Sequence, residues 1–190
     1  MITEKGRKRS EDDMEMQGSR TQGNLQAALS RESRNRLRYE WYAQQAKAQG
    51  YVHIGQLFDE TAEKEQAHGE MWLRALGEQT DTAQSLARAA EGEREEWAEL
   101  YAEYARIARQ EGFAEIAGQF EKIAAVERGH EQRFRLALSQ MQAGQVFHQE
   151  GECAWVCANC GHVVYGEDAP EKCPACGHGR AYFSRQEEAY

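Results

Sequence analysis

Residues 50–68 and 112–130 are two copies of one pattern, and this repeat constrains the fold more than any other feature. Gly50-Tyr51-x-x-Ile54-x3-Phe58-x3-Ala62-x2-Glu65-x2-His68 lies over Gly112-Phe113-x-x-Ile116-x3-Phe120-x3-Ala124-x2-Glu127-x2-His130 at an offset of 62 residues, with only Tyr51 and Phe113 differing. The same offset pairs Tyr39 with Tyr101, Tyr42 with Tyr104, Ala43 with Ala105 and Ala46 with Ala108. Apolar spacings of three and four are those of an amphipathic helix. Pro170 and Pro174 are the only prolines, so nothing before them must break a helix. The periodicity predicts helices over 24–49, 51–76, about 82–110 and 113–143, with Gly50, Gly77 and Gly144 as stops. Gly92 weakens the third by about 1 kcal/mol. Four helices on short links read as a four-helix bundle, built from two like hairpins related by a pseudo-twofold.

Composition sets the class. In 190 residues, 41% are hydrophobic, enough for a packed core, and a formal charge of −9 repels phosphate backbones and anionic lipid. No nucleic acid and no membrane partner is expected, and no apolar run is long enough to span a bilayer. Lys5-Gly6-Arg7-Lys8-Arg9 is followed by Ser10-Glu11-Asp12-Asp13, where a secretory signal needs an apolar stretch, so a cytoplasmic location is expected. Residues 1–20 are polar and read as a disordered extension, 21–146 as the helical domain, 145–152 as a linker and 152–188 as a small cysteine-bearing domain.

Residues three apart on a helix share a face, so Glu65 and His68 converge, as do Glu127 and His130. Glu93 and Glu96 do the same on the third helix, and the first offers Glu32. Turned inward, these seven side chains gather five carboxylates and two imidazoles. Buried ionised carboxylates cost several kcal/mol each unless paired or metal-bound, so such a set demands cations. Mixed carboxylate and imidazole donors suit iron or manganese. A lone Glu-x-x-His in a glutamate-rich chain is commonplace; two in register with a 62-residue repeat are not. Tyr39 and Tyr101 lie within two turns of Glu32 and Glu96, either as outer partners of metal-bound carboxylates or as ordinary packing aromatics. Trp41, Trp72 and Trp97 read as packing.

All five cysteines fall between 153 and 176. Cys157-Ala-Asn-Cys160-Gly161 and Cys173-Pro-Ala-Cys176-Gly177 are paired knuckles that bring four thiolates into a tetrahedron. So short a segment cannot fold on apolar burial alone, and metal binding supplies the difference. Trp155, Val163, Val164, Tyr165, Tyr182 and Phe183 are candidates for an apolar jacket. Iron and zinc both accept four thiolates, so the ligands alone do not choose; a redox-type bundle in the same chain favours iron. Cys153 is a spare.

These motifs together resemble the rubrerythrin family, over nearly the whole chain after about residue 18. The resemblance rests on Glu32-Ser33, Glu65-x-x-His68, Glu93-x-x-Glu96, Glu127-x-x-His130, the four knuckle cysteines and Ala169-Pro170-Glu171. It implies a ferritin-like bundle with a rubredoxin-like tail, and three iron ions per chain: a di-iron centre on Glu32, Glu65, His68, Glu93, Glu96, Glu127 and His130, and a mononuclear iron on Cys157, Cys160, Cys173 and Cys176. It further implies that Glu65 and Glu127 bridge or flank the irons, that His130 binds one, and that the other moves between Glu96 and His68 with redox state. The implied activity is reduction of hydrogen peroxide to water. Rubredoxin or an NAD(P)H-dependent reductase is the implied electron donor, and a head-to-tail homodimer the implied assembly. A ferroxidase or iron-storage protein on the same bundle is the alternative. No glycine-rich nucleotide-binding fingerprint is present, so nicotinamide oxidation belongs to another protein.

Overall fold

The computed structural model describes residues 16–186. It is mainly helical, with a small antiparallel sheet at the C-terminal end. Helix α1 spans Arg20–Ala48 and α2 Val52–Ala75. Helix α3, Thr82–Glu95, runs into a π-turn at Glu96–Leu100 and continues as α4, Tyr101–Gln110; α5 spans Ala114–Gln142. None of the described helices is long and apolar enough to cross a membrane.

Helix α1 starts four residues before the apolar pattern does, because Ser19 caps it by accepting from the Gln22 amide at 3.0 Å. Residues 1–15 of the expected disordered extension lie outside the described residues. Gly50 and Gly112, both at φ +88°, end α1 and α4 in the left-handed region, and the chain re-enters a helix two residues later in both cases. The chain divides between Gln79 and Thr80 into two compact units, one holding the α1–α2 hairpin and the other α3 onward. The expected domain boundary lies elsewhere, at 146–152.

Within each hairpin the repeat becomes three-dimensional. Tyr39, Tyr42 and Phe58 form an aromatic trio, with Tyr42–Phe58 centroids 5.6 Å apart; Tyr101, Tyr104 and Phe120 form its counterpart, with Tyr104–Phe120 also at 5.6 Å. The hydrophobic residues buried in the hairpins are alanines: Ala43 and Ala62 in the first, Ala90, Ala105, Ala108 and Ala117 in the second. Helices therefore approach closely along small-residue seams. At Gly69 an added Cβ would lie 3.7 Å from Leu29 Cδ1 and 4.0 Å from Glu32 Cβ. Trp41, expected to pack, is exposed.

The tail is a three-stranded sheet in the order β2-β1-β3, with β1 at His148–Cys157, β2 at Val163–Asp168 and β3 at Phe183–Arg185. Strand β1 thus occupies most of the stretch expected to be linker, because His148 already pairs with Asp168. Trp155, Cys157, Ala169, Cys173 and Phe183 form the tail's core, with Phe147, Cys153, Val164 and Cys176 packed against it. Tyr165 and Tyr182, expected in the apolar jacket, are exposed instead; Tyr165 sits on the outer face of β2 and Tyr182 meets the His178 ring edge to face, with centroids 4.4 Å apart.

Candidate metal centres

Two triads of donors form, one in each unit. Donor atoms of Glu32, Glu65 and His68 lie within 4.8 Å of one another, as do those of Glu93, Glu127 and His130. Six of the seven residues singled out in the sequence are therefore gathered three and three. His130 Nδ1 stands 2.5 Å from Glu127 and 3.7 Å from Glu93; His68 Nδ1 is 3.4 Å from Glu65. Glu96 stands outside both triads, yet its charge reaches Glu93 and Tyr101.

The two triads are not spaced alike. Glu65 and His68 correspond to Glu127 and His130 at an offset of 62, but Glu32 corresponds to Glu93 at an offset of 61. Seven residues separate Glu32 from Tyr39, and eight separate Glu93 from Tyr101. The π-turn absorbs the extra residue: the Tyr101 amide donates to the Glu96 carbonyl, five residues back. Without it, one residue would rotate Glu93 about 100° relative to Tyr101. The change of offset was visible in the sequence and is the signal that a regular third helix could not hold both residues on one face.

The electrostatics show a site short of cations. A shared hydrogen bond with Glu65, and then burial, hold the Glu32 carboxyl above the usual range. Burial, and then the Glu127 charge, do the same to Glu93. The groups that act on Glu32, Glu65, Glu93 and Glu127 are imidazoles, one another and, at Glu32, the Trp72 indole. Like charges so crowded fit divalent or trivalent metal ions. Burial, reinforced by Glu96 and Glu127, also raises Tyr101, so its phenol stays protonated.

In the tail, Cys157 and Cys176 sulfurs are 3.7 Å apart and Cys160 and Cys173 sulfurs 3.6 Å apart. These are far from disulfide length, and they match the edge of about 3.8 Å of a tetrahedron with metal–sulfur bonds near 2.3 Å. The knuckles share one design: Gly161 N–H donates to Cys157 O and Gly177 N–H to Cys173 O, each at 2.8 Å, with both glycines at positive φ. A backbone N–H at His178 is the main influence pulling the Cys176 thiol down to about 5. At Cys160 the matching N–H of His162 favours the thiolate, but hydrogen bonds from the other sulfurs and burial push it up to about 12. Cys160 and Cys176 thus hold their protons unequally, and a metal ion bound by the four sulfurs would displace the protons it meets. Cys153 remains outside this set, its thiol donating to Gly166 O at 3.6 Å.

Comparisons with known proteins agree with this geometry. The family model for rubrerythrin matches residues 23–138, and that for the rubrerythrin rubredoxin-like domain matches 155–184. The chain belongs to the rubrerythrin family. A rubrerythrin of Porphyromonas gingivalis is 40% identical over 97% of this chain and 98% of its own. Rubrerythrin-1 of Clostridium acetobutylicum is 38% identical over 92% and 98%, and the rubrerythrin of Nitratidesulfovibrio vulgaris 40% identical over 88% and 95%. Membership brings the fold class expected above, a di-iron centre with a rubredoxin-like iron site, and oxidoreductase chemistry of the peroxidase kind.

Proposed function

We propose that the chain reduces hydrogen peroxide to water with electrons delivered through its tail from an external donor, rubredoxin or an NAD(P)H-dependent reductase. The observation that carries this reading is the pair of carboxylate–imidazole triads in one chain with a tetrathiolate set. Glu32, Glu65, His68, Glu93, Glu96, Glu127 and His130 would hold the iron pair, and Cys157, Cys160, Cys173 and Cys176 the single iron. Iron bound at these residues would supply the two electrons that O–O cleavage consumes, with single-electron return through the four thiolates.

The chain's own residues handle the protons. Peroxide takes up two protons as well as two electrons on its way to two waters. Glu32 shares a hydrogen bond with Glu65 that raises its carboxyl, and burial raises Glu93, so one carboxylate of each triad holds a proton more readily than a free glutamate does. Tyr101, kept protonated, can donate a hydrogen bond toward Glu96 or Glu127; Tyr39 occupies the matching place in the first repeat.

The working modules on this reading are residues 21–146 and 152–188, in a cytoplasmic head-to-tail homodimer where one subunit's tail serves the other's bundle. Single-turnover oxidation of the fully reduced protein tests the function. Oxidation by peroxide much faster than by dioxygen is expected; preference for dioxygen with growth of an iron mineral would instead establish ferroxidase or storage chemistry.

A further inference from the structure

Among the described residues, Glu131 is the one charged side chain that is buried, and the triads do not use it. One carboxylate oxygen accepts from the Trp97 indole N–H at 2.6 Å and the other from Arg135 Nε at 2.6 Å. Trp97 is the second residue of the π-turn, directly after Glu96, and Glu131 directly follows His130. The Arg128 guanidinium, also from α5, lies 5.5 Å from the centre of the Trp97 ring. Arg135 reaches Glu91 on α3 at 3.7 Å, and Glu91 in turn takes Arg94 at 2.8 Å.

A π-turn is less favourable than regular helix and persists where its surroundings hold it. Here the holding contacts converge on Trp97. The first hairpin shows what happens without them: Arg36 stands where Trp97 would be, Gly69 stands where Glu131 would be, and α1 runs as regular helix past Glu32. The clamp and the π-turn occur together, in one repeat only. General bundle packing would have no reason to favour one hairpin.

We propose that Glu131 is a positioning residue for the hairpin metal site, clamping the π-turn through Trp97 and so fixing the direction of Glu93 and Glu96 relative to Glu127 and His130. The proposal rests on the triads being a metal site. If the clamp opens, the extra residue can redistribute along the helix, and Glu93 leaves the face it shares with Glu127.

Cobalt(II) titration of the full-length, metal-stripped chain tests this, with thiolate-to-cobalt absorption reporting the tail and the weaker ligand-field bands of oxygen and nitrogen ligation reporting the hairpins. Trp97→Phe, which keeps the ring and removes the donor, should weaken the hairpin site by about ten-fold and leave the tail site unchanged. Glu131→Leu should do the same, and the double variant should be no worse than either single one. Arg135→Gln should lower the melting temperature without weakening cobalt at the hairpins, because it loosens Glu131 without freeing Trp97. Wild-type cobalt affinity in Trp97→Phe and Glu131→Leu, or equal weakening by Arg135→Gln, overturns the clamp while leaving the metal site standing. A wild-type chain that binds cobalt only at its thiolates overturns both.

Discussion

On the proposed reading, a proton and a metal ion compete for the same oxygens at Glu32 and Glu93. Both carboxyls are raised in the metal-free chain, Glu32 chiefly by its hydrogen bond with Glu65 and Glu93 chiefly by burial. A group whose folded pKa lies above its unfolded value adds stability that is fully present below the unfolded value and is lost as pH rises through the folded one. Metal-free protein should therefore gain melting temperature as pH falls from neutrality toward the ordinary glutamate range. Glu131 works the other way. Arg135, and then Trp97, hold it low, so its contribution is present above the unfolded value and disappears as pH falls through its own. The metal-free chain should be most stable on the acid side of neutrality, whereas the iron-loaded chain should lose stability over the same descent because protons displace metal. Melting curves of chelated and loaded protein across that range check both signs. A chelated chain that loses melting temperature steadily from neutrality downward would contradict them.

At the scale of elements, the strongest legible signals were those repeated along the chain. The Glu-x-x-His pairs and the cysteine knuckles were readable, because each depends on short spacings that a helix or a tight turn converts directly into a shared face. What escaped was set by contacts remote in sequence. The π-turn shows in the sequence only as a slip from offset 62 to 61, and Glu131 looked like any solvated glutamate until α5 placed it beside Trp97. Strand β1 begins at His148 because β2 offers Asp168 as a partner twenty residues on, which a local reading of 145–152 cannot see. Tyr165 was misplaced for the opposite reason: strand alternation was legible, but which face the knuckles cover was not. The tail has one further consequence. Its core is five side chains, two of them knuckle cysteines, so a metal bound at the knuckles would contribute most of its folding energy, of order 10 kcal/mol in comparable thiolate modules. Cys173→Ser should abolish thiolate-to-iron absorption and the near-ultraviolet signal of Trp155 while leaving helical circular dichroism intact. Loss of helix in that variant would show that the hairpins depend on the tail.

At the scale of the whole molecule, each hairpin brings one carboxylate–imidazole triad, and the tail brings four sulfurs already at tetrahedral spacing. Each hairpin buries alanines while holding larger apolar side chains at its surface. The proposed chemistry needs the triads to hold a two-electron iron pair and the sulfurs a one-electron iron, so it depends on both being filled with iron. Iron content after anaerobic reconstitution, read together with the thiolate-to-iron absorption, is the most direct measurement. About three irons per chain are expected in the wild type and about one, with the absorption undiminished, when Glu65 and Glu127 are both changed to Gln. A wild-type chain that retains only the thiolate-bound metal, or a double variant that still holds its full complement of iron, would contradict the proposed chemistry.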